Sequence, residues 1–121
     1  MPSFSKKSLE KLNTCNPQLI DLFKEVIKEY DFVVLCGHRG EEEQNKAFKD
    51  GFSKLKFPKS KHNTLPSKAV DIAPYPIDWN DLERFKELAV IVKKIALQKN
   101  VKIQWGGDWK MRDYPHFELI G

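Results

Sequence analysis

The sequence predicts an α+β fold, a small and mainly antiparallel sheet packed with about three helices. Three observations predict it. Helical apolar stripes and short strand-like runs alternate along the chain without a regular βαβ repeat. The 121 residues, 40% hydrophobic and 12% aromatic, suffice for one core and are too apolar for a disordered chain. No repeat, low-complexity tract or linker divides them, so residues 1–121 read as a single domain.

The elements follow in order. Asn16-Pro17 starts a helix, with Asn16 as N-cap and Pro17 in the first turn. Leu19, Ile20, Phe23, Val26, Ile27 and Tyr30 then recur at helical spacing, to about Glu29. Phe32–Cys36 is a short buried strand, and Gly37-His38-Arg39-Gly40 a loop. Glu41–Lys49 is a second helix, acidic in its first turn as the dipole prefers, and Gly51 ends it. Phe52–Lys68 is a long basic loop with Pro58 and Pro66; loops this long in a compact domain are often functional. Ala69–Ala73 is a strand. Asn80 caps a third helix that buries Leu82, Phe85, Leu88, Ala89, Val92, Ile95 and Ala96. Val101–Trp105 and Pro115–Leu119 are strands on either side of a Gly106-Gly107 turn.

Composition narrows the function. The longest apolar stretches, Phe32–Cys36 and Leu88–Val92, fall far short of the ~20 residues that cross a bilayer. Met1–Lys11 carries charge but no apolar signal core, so the protein is expected in the cytoplasm. A net charge of +4 suits an anionic partner, such as nucleic acid, acidic lipid or peptidoglycan. Lysines are densest at Lys54, Lys56, Lys59 and Lys61. Cys15 and Cys36 form no metal-type pair and no disulfide framework; both read as reduced thiols, with Cys36 buried in its strand.

The three histidines, His38, His62 and His116, lie in loops or at strand ends. Asp71 sits mid-strand and shares its face with Ala69 and Ala73, while Val70 and Ile72 point to the core. A carboxylate there needs something positive above it, a metal ion or a lysine, unless it faces water. His116 and Glu118 share one strand face, with Phe117 and Leu119 on the other. Pro115 frees Asp113 from the alternation, so it can lean over the same site. His62, beside Lys61, is disfavoured from protonating and suited to stay a neutral ligand. Two histidines and a carboxylate are the donor set of hydrolytic zinc sites, which keep a position open for water and lower its pKa to about 7. A carboxylate off the metal then takes the proton as general base. His62, Asp71, His116 and Asp113 fill those roles; structural histidines and a lysine-paired Asp71 are the alternative. His38 reads as structural.

Four segments together carry a family resemblance: Gly37-His38-Arg39 with Gln44, Ser60-Lys61-His62 before Ala69-Val70-Asp71, Trp105-Gly106-Gly107-Asp108-Trp109, and Asp113-Tyr114-Pro115-His116-Phe117. The sequence resembles the M15 family of zinc peptidoglycan peptidases, which holds D-alanyl-D-alanine carboxypeptidases and phage L-alanyl-D-glutamate endopeptidases. It is most similar to the small phage endolysins, from about Asn16 to the end. The resemblance implies a hedgehog/DD-peptidase-like fold and one Zn2+ per chain on His62, Asp71 and His116. It implies Asp113 as catalytic base, Arg39 near the scissile carbonyl, and substrate contacts from Ser60, Gln44, Trp105 and Trp109, with Gln44 alternatively a scaffold contact at the foot of the site and the two tryptophans alternatively core. The family pattern SxHxxGxAxD sets the aspartate seven residues after the histidine. Here Asp71 follows His62 by nine, with Ser67 in the glycine's place, an insertion a loop absorbs cheaply.

The expected function is a zinc-dependent endopeptidase cleaving the L-alanyl-D-glutamate bond of murein stem peptides, an endolysin lysing the bacterial cell. The expected partner is the stem peptide, bound by a monomer with no separate wall-binding domain, no nucleic acid and no membrane insertion. A D-alanyl-D-alanine carboxypeptidase or dipeptidase would use the same chemistry; lack of an export signal favours the endolysin. A non-catalytic zinc-stabilised domain, a basic nucleic-acid binder and a cysteine peptidase using Cys36 and His62 are the other classes weighed.

Overall fold

The structure is a computed structural model and describes residues 3–120. Its elements run α1 (Lys6–Leu12), α2 (Pro17–Val26), β1 (Phe32–Cys36), α3 (Glu41–Lys49), β2 (Ala69–Pro74), α4 (Leu82–Gln98), β3 (Ile103–Trp105) and β4 (His116–Leu119). The strands form one antiparallel sheet in the order β1-β2-β4-β3. The α+β class and the antiparallel sheet are as the sequence predicts.

Strand alternation divides the sheet into an apolar and a polar face. Val70, Phe117 and Trp105 stand opposite one another across β2, β4 and β3, and all are buried. Beneath that face, α2 supplies Leu19, Leu22, Phe23 and Val26, and α4 supplies Leu88, Ala89, Val92 and Ile95. Phe23 ties the layers together, its ring edge-on to Phe32 at 5.9 Å and to Phe117 at 5.8 Å. Such aromatic pairs are worth about 0.5–1.5 kcal/mol beyond their area. The opposite face carries Asp71, His116 and Glu118, and the functional site is built there.

Several boundaries differ from the sequence reading. α1 is an additional helix. Only Ser8 and Leu12 are buried in its seven residues, too few to leave an apolar stripe. It persists through tertiary contacts: Ser5 caps it by accepting from the Ser8 N–H at 3.1 Å, and the Ser8 hydroxyl accepts from the Val34 N–H at 3.0 Å. The second bond satisfies a buried amide on edge strand β1. α4 starts at Leu82 with Asp81, not Asn80, at its N-cap; the Asn80 N–H donates instead to Asp78, in an Asx turn. Leu82, expected in the core, is exposed. α2 ends at Val26, and backbone turns carry the chain on to Tyr30. β3 begins at Ile103 because Asn100 turns left-handed (φ 57°) and the Val101 N–H returns to Ala96. Gly106–Asp108 is a 3-10 turn, and a second one, Lys61–Asn63, interrupts the long basic loop.

Candidate active site

His62 arrives on the Lys61–Asn63 turn. The Ser60 hydroxyl accepts from the His62 N–H at 3.2 Å, and the Asn63 side chain accepts from the Ser60 N–H at 3.0 Å. This reciprocal cap fixes the backbone under the ring. The ring's Nδ1 lies 2.7 Å from the Gly37 carbonyl, which leaves Nε2 pointing inward. Asp71 and His116 stand directly opposite each other on β2 and β4. His62 Nε2 is 3.3 Å from Asp71 Oδ1 and 3.3 Å from His116 Nδ1, and the last two atoms are 3.0 Å apart.

These three spacings test the site against zinc. A tetrahedron's edge is about 1.63 times its centre-to-vertex distance, so donors about 2.0–2.1 Å from zinc lie about 3.3–3.4 Å apart. The edges found, 3.0–3.3 Å, match that spacing, and the chemistry of two imidazoles and a carboxylate suits the ion. Without a metal the same atoms must share protons. Burial works against a charged His62, but Asp71 and Cys36 outweigh it and raise its pKa to about 10. His116 is raised as well, burial being outweighed by Asp71 and Glu118. Burial raises Asp71, yet its bonds to His116 and His62 win and hold it below the ordinary carboxylate range.

A second circle of groups orients the donors. His116 Nε2 is 2.7 Å from Glu118 Oε1, which makes Nε2 the protonated nitrogen and frees Nδ1 for the site. Glu118 in turn receives Lys61 Nζ at 3.1 Å and Gln104 Nε2 at 2.9 Å. Burial pushes the Glu118 carboxyl up, and these three partners bring it down to about 2. Lys61 immediately precedes His62, so this one cation ties the turn to β4.

Arg39 enters from the loop after β1. Its Nη1 donates to Gln44 Oε1 at 2.9 Å, and its Nη2 lies 3.5 Å from Asp71 Oδ2. Gln44, on α3, is fully buried. Its amide donates to the Ser53 hydroxyl and the Leu55 carbonyl, so it holds Arg39 on one side and the basic loop on the other. Asn63 also donates to Gln44 Oε1, at 3.2 Å. Asp113 Oδ2 is 4.0 Å from His116 Nδ1, and its side chain is about half exposed. Burial and the charge of Asp71 push its pKa up. The backbone near Gly106 places it: the Asp113 N–H donates to the Gly106 carbonyl, and a Cβ on Gly106 would overlap the Asp113 carbonyl oxygen.

The structure thus brings His62, Asp71, His116, Asp113 and Arg39 together. Ser60 and Gln44 touch the site from beneath, as buried caps and anchors rather than at an open surface. Trp105 is a core residue, stacked on Phe117 with its indole N–H donating to the Tyr114 carbonyl at 2.7 Å. Trp109 does reach the site, its ring 5.1 Å from that of His116. The backbone N–H of His38 donates to Thr14 at 2.8 Å, tying its loop to the end of α1.

The sequence reading missed two groups. Glu118 could have been found from its strand face, which it shares with His116. Cys36 could not. It is half-buried, not enclosed, because it faces the polar side of the sheet. Its Sγ, a donor of His62 and a donor of Asp71 lie within 4.8 Å of one another, a second set that could hold a metal ion.

The sequence profile of the family described as Phage L-alanyl-D-glutamate peptidase matches residues 2–120. The L-alanyl-D-glutamate peptidase of Escherichia phage T5 is 34% identical over 122 residues, covering 96% of this chain and 88% of that protein. The crystal structure of the Serratia marcescens L-Ala D-Glu endopeptidase ChiX superposes with a TM-score of 0.83 at 28% identity, covering 97% of this chain and 89% of that one. This chain belongs to the phage L-alanyl-D-glutamate peptidase family.

Proposed function

We propose that the protein is a zinc-dependent peptidoglycan endopeptidase that hydrolyses the L-alanyl-D-glutamate bond of murein stem peptides, an endolysin. The observation that carries this reading is the triangle of His62 Nε2, Asp71 Oδ1 and His116 Nδ1, with edges of 3.0–3.3 Å and Asp113 beside it. Family membership supports the bond. The chain acts as one catalytic unit and as a monomer with one zinc. It waits in the cytoplasm of the producing cell until released to the wall.

His62, Asp71 and His116 would hold the ion, which would supply Lewis acidity and acidify water to a pKa of about 7. Glu118 keeps a proton on His116 Nε2, so that in the neutral imidazole Nδ1 presents the lone pair. Asp113 takes the proton of the attacking water and returns it to the leaving amine nitrogen. Its raised pKa brings it nearer to balance with both partners. Arg39, held by Gln44 beside Asp71, sets a fixed positive charge where the scissile carbonyl oxygen turns negative. The lysines at 54, 56, 59 and 61 attract the carboxylates of the stem peptide.

Purified murein digested with metal-loaded and demetallated protein, followed by mass spectrometry of the fragments, tests the reading. New N-terminal D-glutamate that vanishes on demetallation and returns with zinc is the expected result. Released D-alanine in its place would make the protein a carboxypeptidase. Undiminished digestion by the demetallated protein would remove zinc from the account.

A further inference from the structure

The sheet register gives Cys36 a position that its place in the sequence does not. Phe32, Val33 and Val34 pair one-to-one with Pro74, Ala73 and Ile72. Continued, that register would set Leu35 opposite Asp71. Instead the pairing shifts between Val34 and Cys36, and Cys36 stands opposite Asp71. Directly opposed residues share a face. Since Asp71 also opposes His116, the row Cys36–Asp71–His116 runs across three strands on the polar face. A bulge of this kind re-aims a side chain, and bulges concentrate beside active sites. Here it brings a thiol toward the metal donors.

We propose that Cys36 is a fourth protein donor to the metal, a displaceable thiolate that closes the site in the resting protein. This rests on the zinc reading of the His62, Asp71 and His116 triangle. Cys36 Sγ already lies within 4.8 Å of both a His62 and an Asp71 donor. In a tetrahedral set with a zinc–sulfur distance of about 2.3 Å, sulfur and nitrogen donors lie about 3.5 Å apart, so an adjustment of about an ångström brings the thiol in. Nothing strong holds it back. The contact found for its S–H, a weak donor, is the neighbouring Gly37 carbonyl at 3.5 Å. On binding, the S–H bond breaks, its proton goes to solvent and a metal–sulfur bond forms, with no change of oxidation state. Zinc sites closed by four protein donors are structural, and catalytic ones keep a position open. The sulfur must therefore leave when substrate enters, and the reversible contact makes the empty-handed enzyme a guarded one.

Cobalt-substituted protein reads the bond directly. Wild type should show a near-ultraviolet sulfur-to-cobalt charge-transfer band beside the visible bands. Cys36→Ser should lose the charge-transfer band and keep the visible ones. Cys15→Ala should retain both, because Cys15 is buried and its thiol is pushed up to about 12. Zinc affinity of Cys36→Ser, measured by chelator competition, should fall at least tenfold, the lower end of what even an outer partner costs. Stoichiometric cobalt with no sulfur band in wild type overturns the proposal and leaves the three-donor site standing. A band that survives Cys36→Ser overturns it too. Failure to bind cobalt at all, with murein still digested, overturns both this proposal and the zinc reading.

Discussion

Asp113 has the two properties a shuttling base needs, a pKa displaced upward and a side chain half open to solvent. Replacing it by asparagine keeps the shape and removes the proton acceptor. Asp113→Asn should keep fold and zinc and lower the lysis rate about 10²–10⁴-fold, the usual worth of general acid–base catalysis. Turbidity loss of a cell-wall suspension and metal content by mass spectrometry check the two halves. Wild-type lysis by this variant would transfer the role to Asp108, which is ion-paired with Lys93 in the structure. Glu118 is a different case, because it acts through His116. In Glu118→Gln the charge that holds the imidazole proton is gone, and a single amide oxygen must serve the three donors His116, Lys61 and Gln104. Zinc affinity should drop about 10–100-fold. In that variant lysis should return when zinc is raised, whereas excess zinc should not rescue Asp113→Asn.

Asp113 is positioned by the Gly106–Asp108 turn, which makes that short element as important as any strand. A methyl group on Gly106 collides with backbone, and backbone cannot yield as a flexible side chain can. Gly106→Ala should therefore displace Asp113 and cut lysis at least tenfold, with zinc still bound by donors on other elements. Loss of both zinc and lysis would mean the turn supports the whole site. The sequence made much at this scale legible. The alternation Val70-Asp71-Ile72 and the pair His116 and Glu118 put the right groups on the polar face, because a period of two follows from strand geometry alone. The loop at His62 became readable through its family resemblance, not through any period. Four features were not legible, each for a physical reason. The bulge at Leu35 is a register choice, and register lies in pairing rather than in composition. α1 is too short to show a stripe. The full burial of Gln44, which the resemblance alone sets at the foot of the site, comes from tertiary packing of the basic loop over a polar helix. Trp105 likewise has a partner for its indole N–H that no local pattern announces.

For the whole molecule, metal and protons compete for the same buried cluster, and this sets how stability varies with pH. In the metal-free fold His62 titrates near 10 against 6.5 for a free imidazole. A raised histidine stabilises the fold fully below its unfolded value and loses that contribution as pH climbs through the folded value. Asp71 is shifted the other way, so its contribution is present above the ordinary 3.8 and is lost as pH falls toward its depressed folded value. The metal-free protein should therefore be firmest in mildly acidic solution and weaken toward pH 9–10. Zinc needs both imidazoles neutral, so its binding must expel protons and grows stronger as pH rises. A ligand that binds only the folded state adds RT ln(1 + [L]/Kd), so the added stability follows the affinity. The gain in Tm on adding zinc should thus widen steadily from about pH 5 to about pH 8. Thermal melts of demetallated and zinc-loaded protein across that range give the difference, and calorimetry in two buffers of unlike ionisation heat counts the protons released. A gain in Tm that stayed level or shrank with rising pH would mean that the cluster is not where the metal binds. His116→Ala should cut the gain sharply at every pH, since the triangle loses one of its three corners.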